Sequence, residues 1–269
     1  MLTKKTFFSI LLVPFALILT IACSELNDET DLVSDPGLFK LGEFTDNGLT
    51  VIAYSESPLS VGYHDIYLEA HEDGVRFDQP HFHFNTMMHM EHHAHASPFA
   101  GPGHDRDKVF DLYKAWAIFT MPGGMAGKWE LQITVFDRDH SGFEAKGSIE
   151  LEVEDSNRVK TFLTDNEERY VLTLIGPSDP EIGLNDLIVA LHKRESMMKF
   201  SPVLNADMDF EPWMPSMDHG SNNNVTPVHE ENGFYKGQVN FNMTGDWELR
   251  FEIESDGEDL GNHTFELKF

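Results

Sequence analysis

The stretch GKWELQI at residues 127–133 returns in the second half of the chain as GDWELRF at residues 245–251. In both stretches apolar and polar side chains alternate, which is the period-two pattern of a half-buried β-strand. Two further pairs of segments match in the same order, residues 39–54 with 159–174 and residues 61–71 with 182–192. Because three pairs keep one order, the sequence indicates two copies of one structural unit.

Each copy is built from short runs rich in Val, Ile, Phe and Tyr, separated by clusters of Gly, Pro, Asn and Asp. The runs alternate with period two, and no long stretch of sequence has helical periodicity. This pattern and the size of each copy are typical of β-sandwiches. The sequence therefore predicts an all-β fold with two tandem immunoglobulin-like β-sandwich domains, at residues 38–155 and 158–269. Trp129 and Trp247 are expected in their cores.

The N-terminal residues are typical of an export signal, because Lys4 and Lys5 precede an apolar run that ends just before Cys23. Residues 1–22 resemble a bacterial lipoprotein signal peptide, in which the cysteine becomes the lipidated N-terminus. The polar, acidic residues 23–37 then form a tether. An ordinary cleaved secretory peptide is the alternative, but the single cysteine lies where lipidation requires it.

The composition narrows the classes of function. Of the 269 residues, 46 are acidic and 19 are Lys or Arg, which gives a formal net charge of −27. A nucleic-acid-binding protein needs a basic surface, so the charge excludes nucleic acid as a partner. One cysteine cannot form an intrachain disulfide, and cysteine-based zinc ribbons and iron–sulfur clusters are excluded with it. The unusual feature is the content of 14 histidines and 12 methionines.

Seven of these histidines fall between His81 and His104, together with three methionines. A strand over this segment places alternate residues on opposite faces. The face that carries possible metal donors consists of His81, His83, Asn85, Met87 and His89. The apolar face consists of Phe82, Phe84, Thr86, Met88 and Met90. Imidazole suits copper, zinc and nickel alike, whereas thioether is soft and favours Cu(I), so a mixed set without cysteine indicates copper.

The candidate copper ligands of the first copy come from this strand and the following loop: His83, Met87, His89, Met90, His93 and His95. The second copy repeats the pattern as a weaker site with Met214, Met217 and His219. Zinc is the alternative metal at the histidines.

Less specific interpretations of the same residues remain open. Methionines between phenylalanines are commonly core residues, and this is the main role expected for Met88 and Met243. Met121 and Met125 precede Trp129 and can face the same end of the sandwich. A solvated loop with adventitious metal affinity is the alternative for a group of four histidines, namely His92, His93, His95 and His104.

The second copy resembles the YtkA-like domain family. The resemblance is carried by WMPSMDH at residues 213–219, GFYKG at 233–237 and FNMTGDWEL at 241–249. The family pattern is a Met-Pro-x-Met loop, a Gly-x-Tyr strand and a Met-x-Gly-x-Trp strand, and the match covers residues 182–269. The first copy is similar, with residues 87–90 in the place of the Met-rich loop. The resemblance implies an extracytoplasmic β-sandwich linked to copper handling or oxidase assembly, without enzymatic activity.

Together these observations lead to an expected function. The leading hypothesis is a lipid-anchored copper-binding protein of the cell envelope, periplasmic or surface-exposed, that buffers, stores or delivers copper. Its membrane contact is the lipid on Cys23, and a copper-handling or oxidase-assembly protein is the expected partner. The alternative is a non-metal binding module that engages a membrane or cell-surface protein. An enzyme is not expected, because hydrolase, zinc-protease and phosphate-loop motifs are missing from the sequence.

Overall fold

The computed structural model describes residues 37–77, 79–137, 142 and 144–269, which form β-strands joined by turns and loops. All of them belong to one compact unit. The predicted signal peptide, Cys23 and nearly all of the tether lie outside the described residues. Within these described ranges, no helix is long and apolar enough to cross a membrane.

The first half of the chain contains short and long strands in alternation with turns. These strands are β1 (Phe39–Asp46), β2 (Leu49–Ser55), β3 (Leu59–Ser60), β4 (Gly62–Glu72), β5 (Val75–Arg76), β6 (His81–His89), β7 (Ala94–Ala96), β8 (Phe99–Ala100), β9 (Tyr113–Phe119), β10 (Lys128–Phe136), β11 (Glu144–Leu151) and β12 (Val153–Glu154).

The second half continues in the same way. Its strands are β13 (Val159–Leu163), β14 (Arg169–Gly176), β15 (Gly183–Arg194), β16 (Phe200–Pro202), β17 (Ala206–Met214), β18 (His219–Gly220), β19 (Val225–Glu231), β20 (Phe234–Phe241), β21 (Asp246–Ser255) and β22 (Glu258–Lys268).

Each half forms a sandwich of a six-stranded and a four-stranded sheet. In the first, the order β1-β2-β4-β9-β8, with β5 added to β4, faces the order β11-β10-β6-β7. In the second, β13-β14-β15-β20-β19, with β16 added to β15, faces β18-β17-β21-β22. The two halves therefore share the same number of strands in each main sheet, and the predicted all-β fold with two immunoglobulin-like sandwiches is confirmed.

Both sandwiches close around a tryptophan, as the repeated stretch predicts. Trp129 of β10 and Trp247 of β21 are fully buried. The first core combines side chains such as Leu68 from the six-stranded sheet with Leu131 from the four-stranded sheet. The sequence of β10 has a period of two because alternate side chains point into this core and are buried there.

The two six-stranded sheets pack against each other through a second, smaller apolar cluster. Ile118 of the first sandwich is buried there with Val171 and Ala190 of the second. Trp116 and Phe234 meet edge-to-face, with 5.3 Å between their ring centroids. Such aromatic contacts and buried aliphatic side chains stabilise an interface by removing apolar surface from water. The two sandwiches consequently share an apolar interface.

A histidine is enclosed in this interface. His192 of β15 is 3% exposed, and its ring lies 5.9 Å from the ring of Trp116. Nδ1 of His192 has no hydrogen-bond partner among the described residues. Burial lowers the pKa of His192 from 6.5 to about 4, because an imidazolium ion is poorly solvated in an apolar environment. The ring is therefore neutral at pH 7.

Candidate metal centre

Strand β6 has the two faces that its sequence predicts. Phe82, Phe84 and Met88 are buried in the first core, whereas His83 and His89 are exposed. Met87 alternates with Met88 and so lies on the outer face, yet it is only 6% exposed. The thioether of Met87 is consequently covered, unlike the neighbouring histidines of that face.

Two of the predicted ligands on the outer face, His83 and His89, do not come together. His83 and His89 are six residues apart on β6, which corresponds to about 20 Å at about 3.4 Å per residue. His83 contacts the ring of Phe136, with 4.9 Å between centroids. At the other end of the strand, Nε2 of His89 lies 3.2 Å from the carboxylate of Glu130. A single ion cannot bind both histidines.

The loop after β6 contains His93, which is exposed. The backbone N–H of Met90 donates a hydrogen bond to the carbonyl of His93 at 2.9 Å, which closes the turn. In the part of the chain that the structure describes, no group of three or more His, Cys, Asp or Glu side chains is arranged to hold a metal ion.

His95 has the geometry of a metal-ligating histidine. Its Nδ1 lies 2.7 Å from the carbonyl oxygen of Ala96, and a carbonyl can only accept, so Nδ1 carries the proton. The lone pair of the neutral ring is then on Nε2. Ligating histidines in proteins commonly donate their other N–H to a carbonyl in this way. Burial is the main cause that lowers the pKa of His95, which favours the neutral form that can bind a metal.

Three neighbouring strands place a thioether and an indole beside this ring. Met88 is the register partner of His95 on β7 and of Trp129 on β10. Side chains opposite one another on adjacent strands have Cβ atoms about 5 Å apart. The rings of His95 and Trp129 are perpendicular, with 5.7 Å between centroids. Imidazole, thioether and indole thus form one row on the inner face of the sheet.

Two more methionines border this row. Nε1 of Trp129 donates a hydrogen bond to the carbonyl of Met121 at 2.8 Å, and the side chains of Met121 and Met90 pack against the same core. We call this group the Trp129 cluster; its members are Met88, Met90, His95, Met121 and Trp129. Its side chains include one imidazole and three thioethers.

The second sandwich repeats the arrangement at the equivalent place. His219 pairs with Met214, and its Nδ1 donates to the carbonyl of Gly220 at 2.8 Å. The ring of His219 lies 6.2 Å from that of Trp247, whose Nε1 donates to the carbonyl of Met243 at 3.0 Å. Met217 lies in the connecting turn and is 57% exposed. We call this group the Trp247 cluster; its members are Met214, Met217, His219, Met243 and Trp247.

The structure divides the nine residues that the sequence nominated as ligands. Five of them belong to the two clusters, namely Met90, His95, Met214, Met217 and His219. The other four lie on the outer face of β6 or in the exposed loop, namely His83, Met87, His89 and His93. The clusters also contain Met88, Met121 and Met243. For Met88 the missing signal was its register with His95 and Trp129, which depends on the pairing of three strands.

Among the comparisons with known proteins, the family match concerns the second sandwich. Residues 164–252 match the YtkA-like family, so the chain contains one YtkA-like domain in its second half. No curated protein shows significant similarity to the chain.

Among solved structures, the FdeC adhesin of Escherichia coli is 12% identical, with a TM-score of 0.27, and the alignment covers 84% of this chain and 65% of that one. InvD of Yersinia pseudotuberculosis is 13% identical, with a TM-score of 0.26 and coverage of 84% and 58%. A conserved domain protein of Bacillus anthracis is 9% identical, with a TM-score of 0.32 and coverage of 85% and 88%. The chain thus spans about two thirds or less of the first two structures.

Proposed function

We propose that the protein binds Cu(I) at the Trp129 cluster and at the Trp247 cluster. The observation that carries the proposal is the repeated histidine geometry. His95 and His219 each donate Nδ1–H to a backbone carbonyl and each sit opposite a buried methionine. Both rings also contact the core tryptophan of their sandwich. Both sandwiches therefore place the same potential ligand atom, Nε2, in the same chemical surroundings.

The chemistry of the donors favours Cu(I) over Zn(II). Thioether sulfur is a soft ligand that prefers Cu(I), whereas Zn(II) and Cu(II) are better served by several imidazoles or by anionic groups. Each cluster offers one imidazole with up to three thioethers. The indole ring adds a π-face that attracts a cation, which is worth more in a desolvated place. Half-burial of the cluster restricts water as a competing ligand.

The surroundings fit a protein that holds copper outside the cytoplasm. A net charge of −27 raises the local concentration of cations at the surface. With the lipid predicted on Cys23, the protein is a membrane-anchored component of the cell envelope that buffers, stores or delivers copper. Delivery requires a second protein, for which a copper-handling or oxidase-assembly protein is the natural class. No catalytic step is part of the proposal.

Metal titration tests the proposal directly. The purified protein is titrated without oxygen with Cu(I), and separately with Cu(II) and Zn(II), against a chromophoric competitor. We expect two Cu(I) per chain and much weaker binding of Zn(II). Met88→Leu should weaken the first site by about tenfold or more, the loss that even supporting residues of metal sites cause. Leucine keeps the size and apolarity of the side chain, so folding is retained.

Met87→Leu is the matched control, because Met87 is the adjacent methionine on the opposite face of the same strand. If Met87→Leu weakens Cu(I) binding and Met88→Leu does not, the ligands belong to the outer face and the two clusters are core packing.

If Met88→Leu and Met87→Leu both leave the affinity for Cu(I) unchanged, or if no Cu(I) binds at all, the non-metal binding module becomes the better hypothesis. That alternative is supported by exposed apolar side chains on the second six-stranded sheet, namely Leu184, Val225 and Val228.

A further inference from the structure

The second sandwich reaches the first copper site through one hairpin. The turn between β15 and β16, residues 195–199, is closed by the N–H of Glu195, which donates to the carbonyl of Lys199 at 2.9 Å. From the tip of this turn, the carbonyl of Met197 accepts a hydrogen bond of 2.8 Å from the N–H of Ala96. Ala96 lies on β7, the edge strand of the first four-stranded sheet, directly after His95.

Met197 brings its sulfur to this junction. Its Sδ contacts the guanidinium Nη2 of Arg194, on the strand that enters the turn. The side chain of Met197 is 37% exposed, so it is not locked into a core. Because the carbonyl of Met197 is bonded to Ala96, the residue after His95, the second sandwich holds a fourth thioether next to the Trp129 cluster.

We propose that Met197 is a ligand of the first copper site, supplied by the second sandwich. This inference rests on the proposed Cu(I) function. Binding is a ligand exchange without redox chemistry: the sulfur lone pair leaves the N–H of Arg194 and coordinates Cu(I). The guanidinium stays anchored through Nε, which donates to the carbonyl of Ser196 at 3.3 Å. Thioether is a weak acceptor for N–H, so the exchange gives up little.

The Trp247 cluster offers a comparison within the same chain. Its histidine strand, β18, is likewise the edge strand of a four-stranded sheet. Among the backbone hydrogen bonds of the described residues outside the sheets, none joins His219 or Gly220 to another turn. Met197 therefore distinguishes the two sites, and the first site should bind Cu(I) more tightly than the second.

Methyl NMR gives a separate signal for each methionine and so tests each candidate thioether ligand individually. The protein is labelled with ¹³C at the methionine methyl groups and titrated with Cu(I) under anaerobic conditions. We expect the Met197 methyl signal to shift with the first equivalent, together with that of Met88. Met198, the next residue in the same turn, is 53% exposed and is the internal control that should not shift. A Met197 signal that stays in place while Met88 shifts overturns this inference and leaves the proposed function intact.

Affinity provides the second measurement. In a His219→Gln background, which disables the second site, Met197→Leu should raise the Kd for Cu(I) by about tenfold or more, whereas Met198→Leu should not. An equal effect of both variants, or none, contradicts a ligand role for Met197. If no methionine methyl shifts and no Cu(I) binds in any variant, the proposed function fails together with this inference.

Discussion

Gly127, immediately before β10, leaves no room for a side chain beside the Trp129 cluster. Its φ of +147° is unfavourable for other residues. A Cβ at this position would lie 2.3 Å from the carbonyl oxygen of His89 and 3.0 Å from the methyl carbon of Met88. The carbonyl belongs to the backbone of β6 and cannot rotate away. Gly127→Ala must therefore shift β6 against β10.

The magnitude follows from two contributions. An unfavourable backbone conformation costs about 1–3 kcal/mol. A methyl group forced into occupied space costs about another 1–3 kcal/mol. We therefore expect Gly127→Ala to lower the free energy of unfolding by about 2–6 kcal/mol. For a chain of this size, each kcal/mol corresponds to a decrease in Tm of about 2–4 °C.

Gly245 is the matched control in the second sandwich. Its φ is +148°, and a Cβ there would meet only the side chain of Met214, with the methyl carbon at 3.0 Å. That end of a methionine can rotate away, so Gly245→Ala should cost only the backbone contribution, about 1–3 kcal/mol. Thermal and denaturant unfolding of both variants measures the difference. Equal losses, or a larger loss for Gly245→Ala, would refute the argument that the His89 carbonyl blocks this position.

Three further predictions concern the anchor, the domains and the interface. Cys23→Ser should move the protein from the membrane to the soluble fraction, because a net-negative protein has no other affinity for anionic lipid; membrane association that persists in high salt would contradict the lipoprotein assignment. Residues 158–269 expressed alone should give a β-rich circular dichroism spectrum, because they contain a complete set of strands and Trp247, whereas a coil spectrum would mean that the halves depend on one another. His192 titrates at about 4 when folded and at about 6.5 when unfolded, so between these values the unfolded state binds the extra proton and stability falls as the pH is lowered. His192 should account for about 3 kcal/mol of this loss, and His192→Phe should remove that part of it; an unchanged pH profile in that variant would show that other groups are responsible.

Much of the fold could be predicted from the sequence, because alternation and repetition are local properties. The stretch that contains Trp129 shows which side chains are buried without reference to any other strand. The faces of β6 follow in the same way, with Phe82 and Phe84 inside and His83 outside. The match of residues 164–252 to the YtkA-like family overlaps the stretch at residues 182–269 that the sequence resemblance covers, and it begins and ends earlier.

The candidate site was harder to predict, because donors converge only through strand pairing. The sequence favoured Met87, since it shares a face with His83 and His89, but those residues lie along one strand rather than around one point. Met88 looked like a core residue and is one, yet its strand partners are His95 and Trp129. The approach of residues 195–199 to β7 depends on how two sandwiches pack, which no local pattern encodes.

The hydrogen bond between Ala96 and Met197 also has a consequence for solubility. A free edge strand exposes unpaired N–H and C=O groups and can recruit a strand from another molecule, which is a route to aggregation. In the intact chain, the turn at residues 195–199 occupies this position on β7. A first sandwich separated from the second would expose it, along with the apolar face that contains Trp116. The second sandwich thus protects the first from self-association.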